Sequence, residues 1–465
     1  MIRIYDTLSS SLKELKTIEK NHVKIYVCGP TVYNIIHVGN ARPMIVFDSF
    51  RRFLEFSGYK VTMVQNFTDI DDKIINKSNE ENTPFKEIPE RFINEYWKDS
   101  NLLNIRPANF HPKTTDYVDE IIIFIEDLIK KGYAYKSENN DVYFDVRKLE
   151  DYGKLSHRNP DDMRSGSRIE ISENKRDPLD FTLWKASKEN EPSWSSPWGD
   201  GRPGWHIECS VMSTQILGKT FDIHAGGNDL IFPHHENERA QSVARHGCEF
   251  ANYWMHNGML KLSGSKMSKS TGNIWLVRDI VKQYGADTLK IFMLSKHYRS
   301  PLDFSEEGLI SQKKSVDRLN ETLKKTEDLF ENDIPYLAYT DYMKEKINIF
   351  KEYLSDDFNT TKAIALIFDI SKELNKSLEQ KNKKNILENY HLLKNIFGPI
   401  FGIFEDNYIE KQNMSSDEVI NLLIDIRNKM RNQKNYEMSD YIRDKLNEIG
   451  IEIKDNIEGT TYKIK

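Results

Sequence analysis

His37 and Asn40 stand three residues apart in His37-Val38-Gly39-Asn40. On the first turn of a helix both side chains can face one ligand, beside amides whose partial positive charge suits a phosphate chain. Gly39 between them removes a side chain where a planar base can approach. Taken alone, this pattern reads first as an ordinary helix cap, and it needs a partner; the chain supplies one at Lys266. A second chemistry is suggested by Cys28, Cys209, His234 and Glu238. Zinc prefers thiolate and imidazole with an occasional carboxylate, in four-coordinate geometry. His234 and Glu238 are four residues apart and project from one helix face. The cysteines come from distant segments, and on spacing alone they read more readily as small buried residues than as ligands.

Positioning these groups requires a sheet. Val23-Lys24-Ile25-Tyr26-Val27, bounded by Cys28-Gly29-Pro30, reads as a buried strand ending at a turn. The spacing of Val38, Met44, Ile45, Phe47, Phe50, Phe53 and Leu54 predicts an amphipathic helix, and residues 60–66 predict a second strand. Strand, helix and strand imply a parallel sheet. Asp69, Asp71 and Asp72 then read as helix capping and charge balance rather than as a metal site.

Residues from about 83 to 131 read as helical, followed by a hairpin around Tyr133–Val146. The stretch from Tyr152 to Gly204, rich in Gly, Pro, Ser, Asp and Trp, reads as an insertion interrupting the sheet. Past Gly204 the sheet resumes with a strand at 220–224, a loop at 225–229, a helix start at Phe232 with Pro233 in its first turn, and a strand at 253–256. From Ala286 to about Phe397 the periodicity is that of a helical bundle. Two short helical patterns and a hairpin from 451–454 and 461–464 close the chain.

The 465 residues exceed one core, and 38% hydrophobic with 30% charged residues describe a soluble globular protein. No signal peptide or membrane span is read, and three irregularly spaced cysteines fit a reducing cytoplasm. A net charge of -6 leaves any nucleic-acid contact to local basic patches.

The motifs carry a resemblance. His37-Val38-Gly39-Asn40 is similar to the HIGH signature, and Lys266–Ser270 spells KMSKS, the ordered pair of class I aminoacyl-tRNA synthetases. Cys28–Tyr33, Asn66–Lys73, Gly204–Ser210, Asp222–Leu230 and Pro233–Glu238 resemble the cysteinyl-tRNA synthetase family, end to end. Asn40 departs from the pattern, standing where the family usually has a second histidine. The resemblance implies an α/β fold: a doubly wound, Rossmann-like parallel-sheet catalytic domain with an insertion, an α-helical bundle and a small α+β C-terminal domain. The expected boundaries are 1–110 and 204–255 for the catalytic halves and 111–203 for the insertion. Residues 256–305 form the KMSKS and stem-contact region, 306–405 the helical tRNA-binding bundle, and 406–465 the anticodon-recognition domain.

It further implies zinc on Cys28, Cys209, His234 and Glu238, with His206, His224 and His235 in positioning roles and Cys248 left structural. ATP, L-cysteine and tRNA(Cys) are the implied partners of an enzyme expected to be a cytoplasmic monomer. His37 and Asn40 are expected on the ATP phosphates, and Lys266 and Lys269 on the pyrophosphate, with Mg²⁺ accompanying ATP. Gly264 and Gly272 bracket the lysines, which suits a closing loop. Gly39, Gly226, Gly227 and Asp229 are expected to receive the nucleotide, and Thr68 and Trp205 the amino acid. Arg427, Lys429, Arg431, Lys434 and Arg443 are candidate phosphate contacts. Two rivals share parts of this pattern. A ligase coupling cysteine to a small amine, as in mycothiol synthesis, has little need of the long helical tail. A non-catalytic tRNA-binding paralogue has no need of intact signatures.

Overall fold

The computed structural model describes residues 1–161, 174–189, 191–262, 275–404, 423–424, 426–431, 436–448, 451–456 and 459–464. Met1–Glu405 forms one compact unit and Asp406–Lys465 a second. The first unit opens with an antiparallel hairpin, β1 (Arg3–Asp6) and β2 (Ser11–Glu14), that the apolar pattern did not reveal. β3 (His22–Val27) feeds α1 (Val38–Phe56), which ends where Gly58 takes φ +93° and returns the chain to β4 (Lys60–Gln65). Two helices follow, α2 (Asp72–Glu81) and α3 (Glu87–Leu102), and then α4 (Val118–Lys130).

The helix expected across residues 83–131 is therefore broken between Leu102 and Val118. Pro107 and Pro112 lie in the break, and the chain there runs extended beside β4, with Val64 bridging Phe110 and Phe67 bridging Lys113. The acidic cluster after β4 serves as capping and charge balance. Asp71 caps α2 at the Lys73 amide, Asp69 accepts from Thr115, and Asp72 meets Lys185 and Arg202.

The insertion is an antiparallel sheet of β5 (Ala134–Lys136), β6 (Val142–Phe144), β7 (Phe181–Ala186) and β8 (Gly201–Pro203), in that order. Its apolar core, including Phe144, Leu183 and Trp184, is continuous with Ile207 and Val211 of the next helix, α5 (Ile207–Leu217). The main sheet resumes with β9 (Phe221–Gly227), α6 (Glu236–His246) and β10 (Ala251–Asn257). Residues 225–227, expected in a loop, extend β9 because Gly227 pairs with Asn257 of β10. Pro233 lies in a wide turn, Ile231–His235, that precedes α6 rather than in its first helical turn.

The four main strands run parallel in the order β10-β9-β3-β4. Alternation along them sends Ile25, Val27, Met63, Ile223 and Met255 toward one core, with α1 packed on that face. Tyr26, Val64, Phe221 and Trp254 face Cys209 and Met212 of α5 on the other. With helices on both faces, the strand order reverses between β3 and β9, and the crevice at their carboxyl ends is where such sheets bind ligands.

β11 (Leu260–Leu262) pairs in parallel with β12 (Leu302–Phe304), a short strand inside the region expected to be wholly helical. α7 (Val277–Tyr284) and α8 (Ala286–Leu294) lie between them. Beyond them α9 (Glu306–Leu329), α10 (Asp341–Ser355), α11 (Thr360–Glu379) and α12 (Lys383–Tyr390) build the bundle. Phe350 and Phe397 stack in its core with centroids 4.1 Å apart. In the second unit α13 (Tyr436–Glu448) precedes an antiparallel hairpin, β13 (Ile451–Asn456) and β14 (Gly459–Ile464). No helix among the described residues is long and apolar enough to cross a membrane.

Candidate active site and metal centre

β3 delivers Cys28 to the crevice. The Cys28 amide donates to the Ala225 carbonyl at 3.1 Å as the last sheet bond before the chain turns away. Gly29 makes that turn possible, since a Cβ there would fall 1.7 Å from the Asn66 carbonyl oxygen. Its own amide donates to Asn66 Oδ1 at 2.8 Å, tying the ends of β3 and β4 together. The first turn of α5 carries Cys209, while His234 and Glu238 come from the turn before α6 and from α6 itself.

These four side chains converge. Cys28 Sγ lies 3.9 Å from Cys209 Sγ and 3.5 Å from Glu238 Oε1, and Cys209 Sγ lies 3.7 Å from His234 Nε2. His234 Nε2 is 3.0 Å from Glu238 Oε1. For a tetrahedral ion with zinc–sulfur bonds of ~2.3 Å, neighbouring sulfurs fall about 3.8 Å apart, so the donor set fits a four-coordinate thiophilic metal. The sulfurs are well beyond disulfide length.

Histidines back this set. His224 Nε2 meets the second Glu238 oxygen at 2.8 Å, and His206 Nδ1 meets His234 Nδ1 at 2.9 Å, leaving His234 Nε2 toward the cluster. His235 Nε2 reaches Cys28 Sγ at 3.2 Å, its Nδ1 reaches His256 Nε2 at 2.8 Å, and His256 Nδ1 meets Thr7 Oγ1 at 2.7 Å. Burial opposes the charge on Glu238, yet His224 and His234 hold its carboxyl well below the usual range. Burial also opposes charge on His234, but Glu238 and then Cys209 raise it well above an ordinary imidazole. Burial pushes the Cys28 thiol up. It acts the same way on Cys209, where hydrogen bonding with Cys28 and His234 prevails and lowers the thiol. Burial keeps His206 and His235 neutral and takes His256 down to about 3.

Cys28, His224, His235 and Glu238 form a second grouping of donors within reach of one another. Among the described residues, the first set borders open space through Cys28, Cys209 and His234, and the second through Cys28. A cavity of about 530 Å³ is lined by Cys28, Cys209 and His234 at one end and by His37, Gly39 and Asn40 at the other. Trp205 lines it with 44% of its surface exposed and stacks on His234, centroids 4.5 Å apart. Thr68, Gly227 and Asp229 also line it. Gly226 lies behind the wall, where a Cβ would meet the His235 ring at 2.8 Å.

His37 is the N-cap of α1. Its Nδ1 accepts from the Gly39 amide at 3.1 Å, and its own amide donates to Asn40 Oδ1 at 3.1 Å. The space freed at Gly39 is taken by the His37 ring, 2.8 Å from where a Cβ would sit. Lys266 and Lys269 lie outside the described residues, as do Gly264 and Gly272. Among the described residues, Leu276 bridges His37, and the Val38 amide donates to the Trp275 carbonyl at 3.0 Å.

Three residues here escaped the sequence reading. Arg42 is buried on α1 and donates to the carbonyls of Gly258 (2.6 Å), Met259 (3.1 Å) and Ser300 (2.7 Å), clamping the approach to β11. A charge on the apolar stripe shared by Val38 and Ile45 was the available sign. Glu208, wholly buried, accepts from Thr68 Oγ1 at 2.9 Å and from Thr114 Oγ1. His256 closes the chain of imidazoles behind Cys28. In the second unit Arg427 is buried, which removes it from the candidate phosphate contacts, and Lys434 lies outside the described residues. Cys248 is exposed.

Residues 14–315 match the family described as tRNA synthetases class I (C) catalytic domain, and residues 349–405 match the DALR domain. The chain is 56% identical over 462 residues to a cysteine–tRNA ligase of Petrotoga mobilis, covering 99% of this chain and 98% of that one. It is 53% identical over 466 residues to the cysteine–tRNA ligase of Thermotoga maritima, covering both chains fully. Among solved structures, Mycobacterium tuberculosis methionyl-tRNA synthetase in complex with methionyl-adenylate matches with a TM-score of 0.61 at 15% identity. That match covers 82% of this chain and 89% of the other. A ternary complex of Agrobacterium radiobacter LeuRS with tRNA and LeuAMS matches at 0.62 and 11% identity, covering 84% and 85%. At such identities the structural likeness is one of fold.

Proposed function

Because the chain belongs to the cysteine–tRNA ligase family of class I aminoacyl-tRNA synthetases, we propose that its cavity joins L-cysteine to ATP and then to tRNA(Cys). The cysteine carboxylate attacks the α-phosphorus, pyrophosphate leaves, and cysteinyl-adenylate forms. A hydroxyl of the terminal adenosine of tRNA then attacks the cysteinyl carbonyl and AMP leaves. The observation that carries this reading is the single cavity joining the Cys28–Cys209–His234–Glu238 cluster to the start of α1.

Each residue has a role in the proposal. Cys28, Cys209, His234 and Glu238 would hold zinc, which when bound supplies a Lewis-acidic seat for the substrate thiolate. Serine lacks that thiolate, so selection rests on ligand chemistry rather than on a small size difference. Trp205 covers the His234 side of the pocket and excludes water. Thr68 receives the ammonium group. His37 and Asn40, with the α1 amides, face the triphosphate. Lys266 and Lys269, with Mg²⁺ accompanying ATP, neutralise the leaving pyrophosphate, and Gly227 and Asp229 hold the ribose. The bundle of 306–405 and the unit of 406–465 take the tRNA, and the enzyme acts in the cytoplasm as a monomer.

The test is transfer of labelled cysteine to tRNA, with serine and tRNA-free controls. Cysteine-specific label on tRNA is the expected result. ATP consumed with cysteine but no label on tRNA points to a ligase for a small amine, and no ATP consumption to a tRNA-binding paralogue.

A further inference from the structure

The buried Glu208 carboxylate belongs neither to the metal ligands nor to the residues assigned to ATP. Its two oxygens are taken by two hydroxyls from different parts of the chain, Thr68 beyond β4 and Thr114 ahead of α4. Thr68 also receives the side-chain amide of Asn66, Nδ2 to Oγ1, at 3.3 Å. Asn66 in turn holds the Gly29 amide beside Cys28. The Thr68 backbone joins the same turn, its amide donating to the Pro30 carbonyl and its carbonyl accepting from Val32.

A hydroxyl has one proton and two lone pairs. The Thr68 proton goes to Glu208 and one lone pair to Asn66. What remains of Thr68 toward the cavity it lines is a single acceptor. We infer that Glu208 is a positioning residue that locks the Thr68 hydroxyl as an acceptor for the α-ammonium group of the amino-acid substrate. Without Glu208 the hydroxyl is free to rotate its proton toward the cavity, where it repels an ammonium donor. Glu208 and Cys209 are consecutive on the first turn of α5. One helix turn therefore sets both ends of the substrate, the thiolate through Cys209 and the ammonium through Thr68. The inference rests on the reading of this cavity as a cysteine site.

The experiment compares wild type, Glu208→Ala, Glu208→Gln and Thr68→Val in cysteine-dependent pyrophosphate–ATP exchange. It includes 3-mercaptopropionate, which keeps the thiol and lacks the amine, as a competing ligand, and reads bound zinc for each variant. Loss of an acceptor for a charged donor predicts that Glu208→Ala and Thr68→Val raise KM for cysteine about ten- to a hundredfold. KM for ATP, zinc content and the inhibition constant of 3-mercaptopropionate are expected to stay within about threefold of wild type. Glu208→Gln keeps a carbonyl oxygen for the Thr68 proton and is expected to restore KM. Equal weakening of cysteine and 3-mercaptopropionate overturns the inference, because a merely structural role disturbs both. An unchanged KM in Thr68→Val overturns it as well, and serves where Glu208→Ala does not fold. Wild type that exchanges no pyrophosphate with cysteine refutes the underlying function instead.

Discussion

Cys28 Sγ and Cys209 Sγ stand 3.9 Å apart although 181 residues separate them in the chain. One ends a strand and the other begins a helix beyond an entire inserted sheet, so only the closed fold brings them together. Replacing either with serine leaves a poor zinc ligand beside the three remaining donors. Cys209→Ser is expected to lose bound zinc, read by metal analysis, and to lose the preference for cysteine over serine in ATP consumption. Full retention of that preference refutes a selecting metal.

His224 holds the second oxygen of Glu238 from a fully buried position. His224→Phe keeps a ring against Trp254 but removes that bond. Zinc affinity is expected to fall about ten- to a hundredfold, measured by chelator competition.

Truncating Arg42 removes its donors from three close carbonyls: Gly258 keeps Asn257 Nδ2 and Met259 keeps the Leu302 amide, while Ser300 loses its Arg42 bond. Arg42→Ala is expected to destabilise the first unit by about 1–3 kcal/mol in urea unfolding. It is also expected to raise KM for ATP, because the carbonyls it holds fix the approach to β11. An unfolding midpoint within error of wild type refutes the clamp.

The N-cap of α1 rests on two side-chain bonds, the Gly39 amide to His37 Nδ1 and the His37 amide to Asn40 Oδ1. Asn40→Ala removes the acceptor for the His37 amide and is expected to cost about 0.5–2 kcal/mol. Asn40→His tests the family's usual residue. Cysteine-dependent pyrophosphate exchange is expected to persist in it, since imidazole can also accept that amide.

His111 stacks on Phe67 (centroids 5.3 Å) and accepts the Ala108 amide through Nε2 at 2.9 Å. Burial, the largest cause, takes its pKa down to about 4. The unfolded chain, with a pKa near ~6.5, binds the proton first as pH falls. His111 therefore withdraws stability from about pH 6.5 down to about 4 and no further, by at most about 3 kcal/mol. Urea midpoints across that range are expected to fall less steeply in His111→Gln; parallel curves refute the assignment.

The parallel sheet was legible because β3, β4 and β10 are buried on both faces and read as apolar runs. The end of β9 was not, since Gly226 and Gly227 look like loop residues until Asn257 is beside them. The break after Leu102 was hidden because Val118, Ile121 and Ile125 resume a helical spacing beyond it. The candidate metal set had only the His234–Glu238 spacing to show locally, and the resemblance was needed to join Cys28 and Cys209 to it, since the four come from three separate segments. Glu208 was passed over because a carboxylate at a helix start looks like dipole balance. The hydroxyls that meet its oxygens, on Thr68 and Thr114, lie 140 and 94 residues away.

The inserted sheet ends in β8, and only Gly204, Trp205 and His206 separate it from α5. Arg202 of that sheet is paired with Asp72 in the first turn of α2, and Ile207 and Val211 share the sheet's apolar core. The insertion is thus tied to the pocket twice, by the three-residue link that carries Trp205 and by packing against the helix that carries Glu208 and Cys209. A shortened chain that joins residue 133 to residue 204 discards the packing partner of the helix that carries Cys209 along with the sheet. Modularity in the order of the sequence is not modularity in its mechanics.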